Sequence, residues 1–418
     1  MDVQITFSYV FVQWAQGNYY IFVNTNILIN CFVHFRLGIT CTDGPLWAEQ
    51  RNFATRHLRE AGYGRKPMEV QIQNELNELL DIIGEYKSEP IWPGLLLPPS
   101  VLNVLWTFTA GKRIARNDER LTRLLTLMQQ RSKAFDMSGG LLNQMSWLRF
   151  VAPEKTGFNL INKFNREIHA FFMETISEHK LDYDDDKAND DLIYAYIKEM
   201  KLNENKPSTF TELQLTMVIL DMFIAGSQTT SITLDLALMT MATYPKIQKQ
   251  IHTELDNALL DGEIPASSHR SLLAFTEATL MEIQRFYHIV PITGPRRTFC
   301  ETTLGGYTIP KNATILIGSR TVHMDKEHWG DPEVFRPERF LDENMQITNT
   351  EHLMPFGQGR RRCLGESLAR SCLFTFFAGI LNKFEVSLPE GAVVPERVLQ
   401  PGITLSPKPY KVIFKQRQ

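Results

Sequence analysis

The sequence predicts a mainly α-helical protein with a minor β-sheet, and three observations carry that reading. The chain has 418 residues, 43% of them hydrophobic, which suits a globular protein with a large core, in one large domain or two ordinary ones. Apolar residues recur at helical spacing through most of the chain before Pro291. Short β-rich pieces, broken by glycine and proline, are confined to the part after it.

Taken in order, Trp47 to Glu60 reads as a helix opened by Thr42-Asp43-Gly44-Pro45. Val70 to Tyr86 is a second, with Ile72, Leu76, Leu79, Leu80 and Ile83 on one stripe. Leu102 to Phe135 holds one or two more, and its middle is basic: Lys112, Arg113, Arg116, Arg120 and Arg123. Such a run is either a solvated face or a docking patch for an acidic partner. Asp182, Asp184 and Asp186 imitate the start of a calcium loop. The sixth position is Lys187 rather than Gly and the twelfth is Ile193 rather than Glu, so this is an acidic surface loop.

The clearest helix starts near Thr209, where Thr209 and Glu212 form a capping-box pattern, and runs to about Thr243 before Pro245 opens the next. Its length and near-uniform apolarity imply a helix crossing the middle of a large domain. Ala225-Gly226-Ser227-Gln228-Thr229-Thr230 at its centre lowers helix propensity and marks either a close helix crossing or a dent beside a cofactor. Thr302 to Ile317 reads as a small sheet, Asp331 to Phe340 as an irregular meander, and Glu385 to Phe414 as strand and turn.

A net charge of −3 gives no sign of nucleic acid. The five cysteines form no C-x-x-C pair and are odd in number, which argues against a disulfide framework or structural zinc and fits a reducing compartment. From Val3 to Phe35 there is no Asp, Glu, Lys or Arg, yet Gln13, Gln16, Asn18, Asn24, Asn26 and Asn30 interrupt it, so it makes a poor membrane span. It also lacks the basic start and cleavage site of a signal peptide.

Phe356 to Gly365 (FGQGRRRCLG) holds the most informative cysteine. Leu364, Leu368, Cys372 and Phe376 recur on one helical face, so Cys363 sits just ahead of a helix N-terminus, whose N–H groups and dipole favour thiolate. Gly357 and Gly359 allow a tight loop against a flat ligand, and Arg361 can reach an acidic group on it. A nucleophilic cysteine would need a base such as His288 or His323. A haem iron would need a thiolate held by N–H donors and shielded, for instance by Phe356. The third glycine of a dinucleotide fingerprint is missing here.

Phe356, Gly359, Arg361, Cys363 and Gly365 match the F-x-x-G-x-R-x-C-x-G loop of the cytochrome P450 family, a pattern expected by composition in fewer than about one chain in ten thousand. Glu282 and Arg285 match its E-x-x-R, Pro337-Glu338-Arg339-Phe340 its meander motif, Trp47 and Arg51 its W-x-x-x-R pair, and AGSQTT its central-helix motif. The chain therefore resembles that family from about Arg36 onward, and most closely its animal microsomal branch, insect members in particular. The resemblance implies one haem-thiolate domain over 36–418, preceded by an atypical segment, 1–35, that is not native family sequence. Cys363 would be the axial ligand of a haem b iron, favouring O–O cleavage. Trp47, Arg51, Arg296 and Arg361 would bind the haem propionates, with Arg297 as the alternative to Arg296. Ala225 and Gly226 would let the central helix pass over the haem, and Thr229 would hold the group through which protons arrive. Glu282, Arg285 and Arg339 would form a buried ion-pair network behind the cysteine loop. Ile224, Ala225, Thr229, Val290, Ile292 and Ile403 would line a pocket for a lipophilic substrate: a terpenoid, fatty acid, steroid or xenobiotic.

The implied reaction inserts one atom of O2 into that substrate and releases the other as water. Without a nucleotide fingerprint the chain would not bind NADPH itself. Electrons would come from an NADPH-dependent flavoprotein reductase, or a cytochrome b-type donor, meeting the basic helix and the arginines round Cys363 on the cytosolic face of the endoplasmic reticulum membrane. Two departures matter. Gln228 stands where the family usually has an acid before Thr229, so it would orient water rather than relay protons, and it raises the alternative of an isomerase or dehydratase needing no reductase. The family's anchor, proline-rich hinge and first strands are not legible before Trp47, which suggests an incomplete start and the further alternative of an inactive haem-binding protein.

Overall fold

The computed structural model describes residues 21–24, 37–134, 145, 147–187, 190–260 and 262–417. After strand β1 (Ile21–Asn24) come helices α1 (Gly44–Glu60), α2 (Lys66–Glu85), α3 (Pro93–Ala110) and α4 (Glu119–Ala134). A single turn, α5 (Leu148–Val151), leads to α6 (Phe158–Leu181), α7 (Leu192–Leu202), the central α8 (Glu212–Thr243), α9 (Pro245–Ala258) and α10 (Ala274–Tyr287). The expected stretch Val3 to Phe35 lies outside the described residues except for β1. So does the end of the expected Leu102–Phe135 helix.

Proline explains where the sequence reading slipped. α2 begins four residues before Val70, because Pro67 sits in the first turn, where its missing N–H costs nothing. α3 begins at Pro93, nine residues before the expected Leu102, and continues through Pro98 and Pro99, whose missing N–H groups would normally weaken a helix. Arg116 compensates: its guanidinium reaches Leu96 O and donates to Ser100 Oγ at 2.7 Å. Gly111, at φ +66°, then ends α3 in a left-handed cap.

The central helix is capped by Thr211, whose Oγ1 accepts from Gln214 N at 3.2 Å, and Glu212 is its first residue. The expected Thr209–Glu212 box is therefore not formed. Thr209 instead accepts from Gln50 Nε2 at 2.9 Å and reaches Glu49, tying α8's approach to α1. Among the described residues α8 is the one helix long and apolar enough to cross a membrane, and it runs through the core, packed on α3 and α10. Gly226 marks its closest approach. A Cβ there would stand 2.3 Å from Leu105 Cδ2 of α3, so the glycine is required by the helix crossing.

The β component is small, as expected. β1 pairs antiparallel with β5 (Thr314–Ile317), which also pairs with β2 (Thr293–Arg297), with a register irregularity between Thr293 and Arg296. β3 (Thr302–Leu304) and β4 (Tyr307–Ile309) form a hairpin closed by Gly305-Gly306, both at positive φ, the two-residue turn that suits strand twist. Short α11 (Ser319–His323) and α12 (Lys326–Trp329) precede the meander. α13 (Glu366–Lys383) then buries Leu368, Cys372, Phe374, Phe376 and Phe377 against α2 and α8. β6 (Phe384–Ser387) and β7 (Ile413–Gln416) close the chain.

Two predictions follow from this packing. Gly226→Ala should cost about 1–3 kcal/mol in chemical denaturation, by overpacking against Leu105, and Leu105→Ala in the same chain should recover part of it. Asp235 is buried on α8 and accepts from Tyr410 Oη at 2.7 Å. Burial pushes its pKa up to about 7. A folded value above the unfolded one means its stabilising contribution is complete below about pH 4 and is lost as pH rises through 7. The melting temperature of Asp235→Asn should therefore gain on the parent between about pH 5 and pH 9.

Candidate active site around Cys363

The cysteine loop is closed by its own backbone. Cys363 N donates to Phe356 O at 2.9 Å and Gly357 N to Met354 O at 3.1 Å, with Gly357 and Gly359 both at positive φ. Gly359–Arg361 forms one 3-10 turn, and α13 starts at Glu366, three residues beyond Cys363. The Cys363 side chain has open surface, yet protein surrounds it densely. That burial raises its pKa, outweighing the N–H of Gly365 and the positive charges of Arg51 and Arg362. The sequence argument had the opposite sign. The helix terminus acts through a single N–H, while desolvation acts on the whole sulfur. A Cβ on Gly365 would sit 3.8 Å from Sγ, and Arg370 stacks over the Phe356 ring at 5.0 Å.

Neither rival base contacts this thiol. His288 Nδ1 pairs with Arg285 O at 3.1 Å, and His323 Nε2 accepts from Met354 N at 3.0 Å. Burial pushes their pKa values down to about 4 and about 3. Both imidazoles are structural.

Beside the loop two guanidiniums lie against one indole, with a third, Arg296, near Arg361. Arg361 lies 4.0 Å over the Trp47 ring and Arg51 lies 5.8 Å from it. Arg51 donates to Arg362 O at 2.6 Å, Arg361 to the carbonyls of Ile39 and Thr42, and Arg296 to Gly294 O at 3.0 Å. Among the described residues no carboxylate pairs with Arg51, Arg296 or Arg361. Burial, then the neighbouring Arg296, lowers the Arg361 pKa. Trp47 Nε1 is buried without a partner. Arg297 points elsewhere, held by Asp43 Oδ2 at 2.8 Å through Nε and by Asn312, which removes it as the alternative to Arg296.

On the central helix Ala225 is exposed, and Ile224, Gln228 and Thr229 are partly exposed, although the flanking turns are buried. An exposed alanine in mid-core means that this face borders an open space. Thr229 Oγ1 donates to Ala225 O at 3.0 Å. Gln228 Nε2 donates to Met128 O of α4 at 3.4 Å, so the amide braces two helices, a bond that a carboxylate cannot make. Sequence reasoning did not find the rest of this frame. Ile403 N donates to Ser132 O of α4 at 3.2 Å, and Leu405 N to Ile289 O at 2.8 Å, beside Val290. Val290, Ile292 and Ile403 are all partly exposed. These ties are backbone contacts between distant segments and leave no signature in side-chain pattern.

Behind the loop the ion-pair network is fully buried. Glu282 and Arg285 have no exposed surface. Arg285 binds Glu282 through two bonds of 2.7 and 2.8 Å and also donates to His323 O and Pro332 O. Arg339 Nε meets Glu282 at 3.1 Å, and its other nitrogens donate to the carbonyls of Trp329, Asp331 and Val334. Arg336 N donates to Glu282 Oε1 at 2.9 Å.

The basic run loses its role as a free patch. Arg113 pairs with Glu75 and Glu78, Lys112 with Glu178, Arg120 with Asp118 and Glu174, and Arg123 with Glu167. Among the described residues, cations without an ion pair stand instead at the end of α1 and just before α2. There Arg59 and Arg65 line a cavity of about 360 Å³ with Tyr63, Leu364 and Ser367, next to Cys363.

A long helix crosses this helical domain, and the exposed Cys363 thiol lies beside guanidiniums that have no carboxylate partner among the described residues, a setting that suits an acidic ligand. The chain belongs to the cytochrome P450 family, whose model matches residues 22–414, starting inside the segment expected to lie outside the family pattern. It is 53% identical over 390 residues to probable cytochrome P450 305a1 of Drosophila melanogaster, covering 91% of this chain and 77% of the relative. It is 34% identical to farnesoate epoxidase of Bombyx mori (92% and 77% covered) and 35% to human cytochrome P450 2J2 (90% and 74%). It is thus an oxidoreductase of the monooxygenase type that uses haem and O2. The residues present fit haem: an unpartnered indole N–H and three guanidiniums without carboxylates suit two propionates.

Glu282→Gln should leave the buried Arg285 guanidinium without its counter-charge and Arg339 with Asp331 alone. We expect a loss of about 3–5 kcal/mol in chemical denaturation and loss of haem uptake on expression.

Proposed function

We propose that Cys363 ligates the haem iron, and that the enzyme inserts one oxygen atom into a lipophilic small molecule with electrons from a flavoprotein reductase. The observation that carries this is the thiol's setting: open surface on a loop closed by its own N–H groups, beside uncompensated cations. When bound, the haem supplies the oxygen-activating chemistry, and coordination deprotonates the thiol despite its raised pKa. Trp47, Arg51, Arg296 and Arg361 hold the propionates, and Phe356 with Gly359 and Gly365 shapes the loop.

Thr229 handles protons on the opposite side. Its hydroxyl hydrogen is committed to Ala225 O, so its lone pairs face outward to accept a hydrogen bond. Gln228 is a brace between α8 and α4 and not part of this path. That role weakens the case for a reductase-independent isomerase, which rested on Gln228 alone. Ile224, Ala225, Val290, Ile292 and Ile403 supply an apolar lining. The silkworm relative is named for farnesoate, which makes an apolar isoprenoid acid the first compound to try.

The reductase docks at Arg59 and Arg65, beside the cysteine loop, and not on the paired cations of α4. The chain works at the cytosolic face of the endoplasmic reticulum, and NADPH binds the reductase alone.

Two measurements test this reading. Arg59→Glu with Arg65→Glu should cut reductase-dependent turnover at low salt by tenfold or more, while Arg120→Glu leaves it unchanged; turnover without any reductase contradicts the proposal. Thr229→Val should lower product formation by about a hundredfold with haem content intact, and Thr229→Ser should restore most of it.

A further inference from the structure

On the far side of the ion-pair network His328, Glu351 and His352 meet, their ligand atoms all within 4.8 Å of one another. His328 sits on α12, and Glu351 and His352 lie just ahead of Met354 and the cysteine loop. The two imidazoles stack, with centroids 3.7 Å apart and planes tilted by 27°. Stacking alone would be ordinary packing, but the ring nitrogens are not satisfied. His328 Nε2 and His352 Nδ1 are both buried with no hydrogen-bond partner. Leaving such atoms unpaired is costly, so their retention needs a reason.

The other side of His328 is held. Asn349 hydrogen-bonds its ring, and Asn349 Nδ2 is already donated to Arg339 O at 3.2 Å. The amide oxygen therefore accepts from Nδ1–H, which fixes the tautomer with a lone pair on Nε2. Metal-binding histidines are oriented in this way, by a hydrogen bond on the nitrogen that does not coordinate. Asn349 adopts φ +54° to do so.

We propose that His328 Nε2, His352 Nδ1 and a Glu351 carboxylate oxygen form a three-ligand site for Zn²⁺, with water in the fourth position. Two imidazoles and one carboxylate suit zinc, while calcium and magnesium want six or more oxygens, several of them water in the case of magnesium. Tetrahedral zinc ligands stand about 3.3 Å apart and imidazole lone pairs lie in the ring plane, so binding requires the two rings to turn out of their stack toward one point, with the exposed Glu351 following. The bound ion would fasten α12 to the segment whose Met354 N–H bonds His323. Its role is to brace the approach to the cysteine loop, without contact with substrate.

The test uses the full haem-loaded chain, stripped with chelator and titrated with Zn²⁺ by calorimetry, with X-ray absorption at the zinc edge. One equivalent should bind with micromolar affinity or better, with two nitrogen ligands and raised melting temperature. His328→Gln and His352→Gln, folded by circular dichroism, should each weaken binding at least a hundredfold, and Asn349→Ala about tenfold. His269→Gln, remote from the cluster, should change nothing. Absence of saturable binding, or equal binding in His328→Gln, overturns the site. So would an absorption spectrum with sulfur ligands.

Discussion

One buried carboxylate holds the haem-side half of this protein together. Glu282 has no contact with water and is met by Arg285, Arg339 and the N–H of Arg336. Taking these charges out of water is expensive, and it is tolerated because nearly every lone pair and N–H finds a partner. The partners are not local. Arg285 reaches His323 O and Pro332 O, and Arg339 gathers three carbonyls of the meander. A stretch with almost no regular secondary structure is thereby given a fixed shape.

That shape reaches the cysteine loop through a short chain of bonds. Arg285 fixes His323 by its carbonyl, and His323 Nε2 fixes Met354 by its N–H. Met354 O accepts from Gly357, and Phe356 O accepts from Cys363. The position of the sulfur is thus set by an ion pair in another helix. From the other side the guanidinium cluster, Trp47 and the central helix frame the same region. The fold delivers an exposed thiol in a desolvated setting, and the proposed haem iron would deprotonate it.

Much of this was legible in the sequence where side chains carry the signal. The central helix, the loop glycines and the Glu282–Arg285–Arg339 network are patterns of residue type at short spacing. Three things were not. The helix expected from Leu102 starts at Pro93, and its proline-containing first turns are held by Arg116, from beyond the helix end. Gly226 reads as either a helix crossing or a cofactor dent, and the partner that makes it a crossing, Leu105, lies more than a hundred residues away in sequence. The basic run reads as either a solvated face or a docking patch, and the acidic partners that decide it come from α2 and α6, which sequence spacing cannot bring together. The sign of the Cys363 shift failed for a related reason: burial is a property of the whole fold.

The central claim is that Cys363, positioned by this network, is the ligand of the haem iron. The most direct measurement is the difference spectrum of the reduced enzyme with carbon monoxide, for the parent and for Cys363→His. The account predicts a strongly red-shifted Soret band in the parent that is lost in the variant. The same band persisting in Cys363→His, or a haem-loaded parent lacking it, would contradict the assignment.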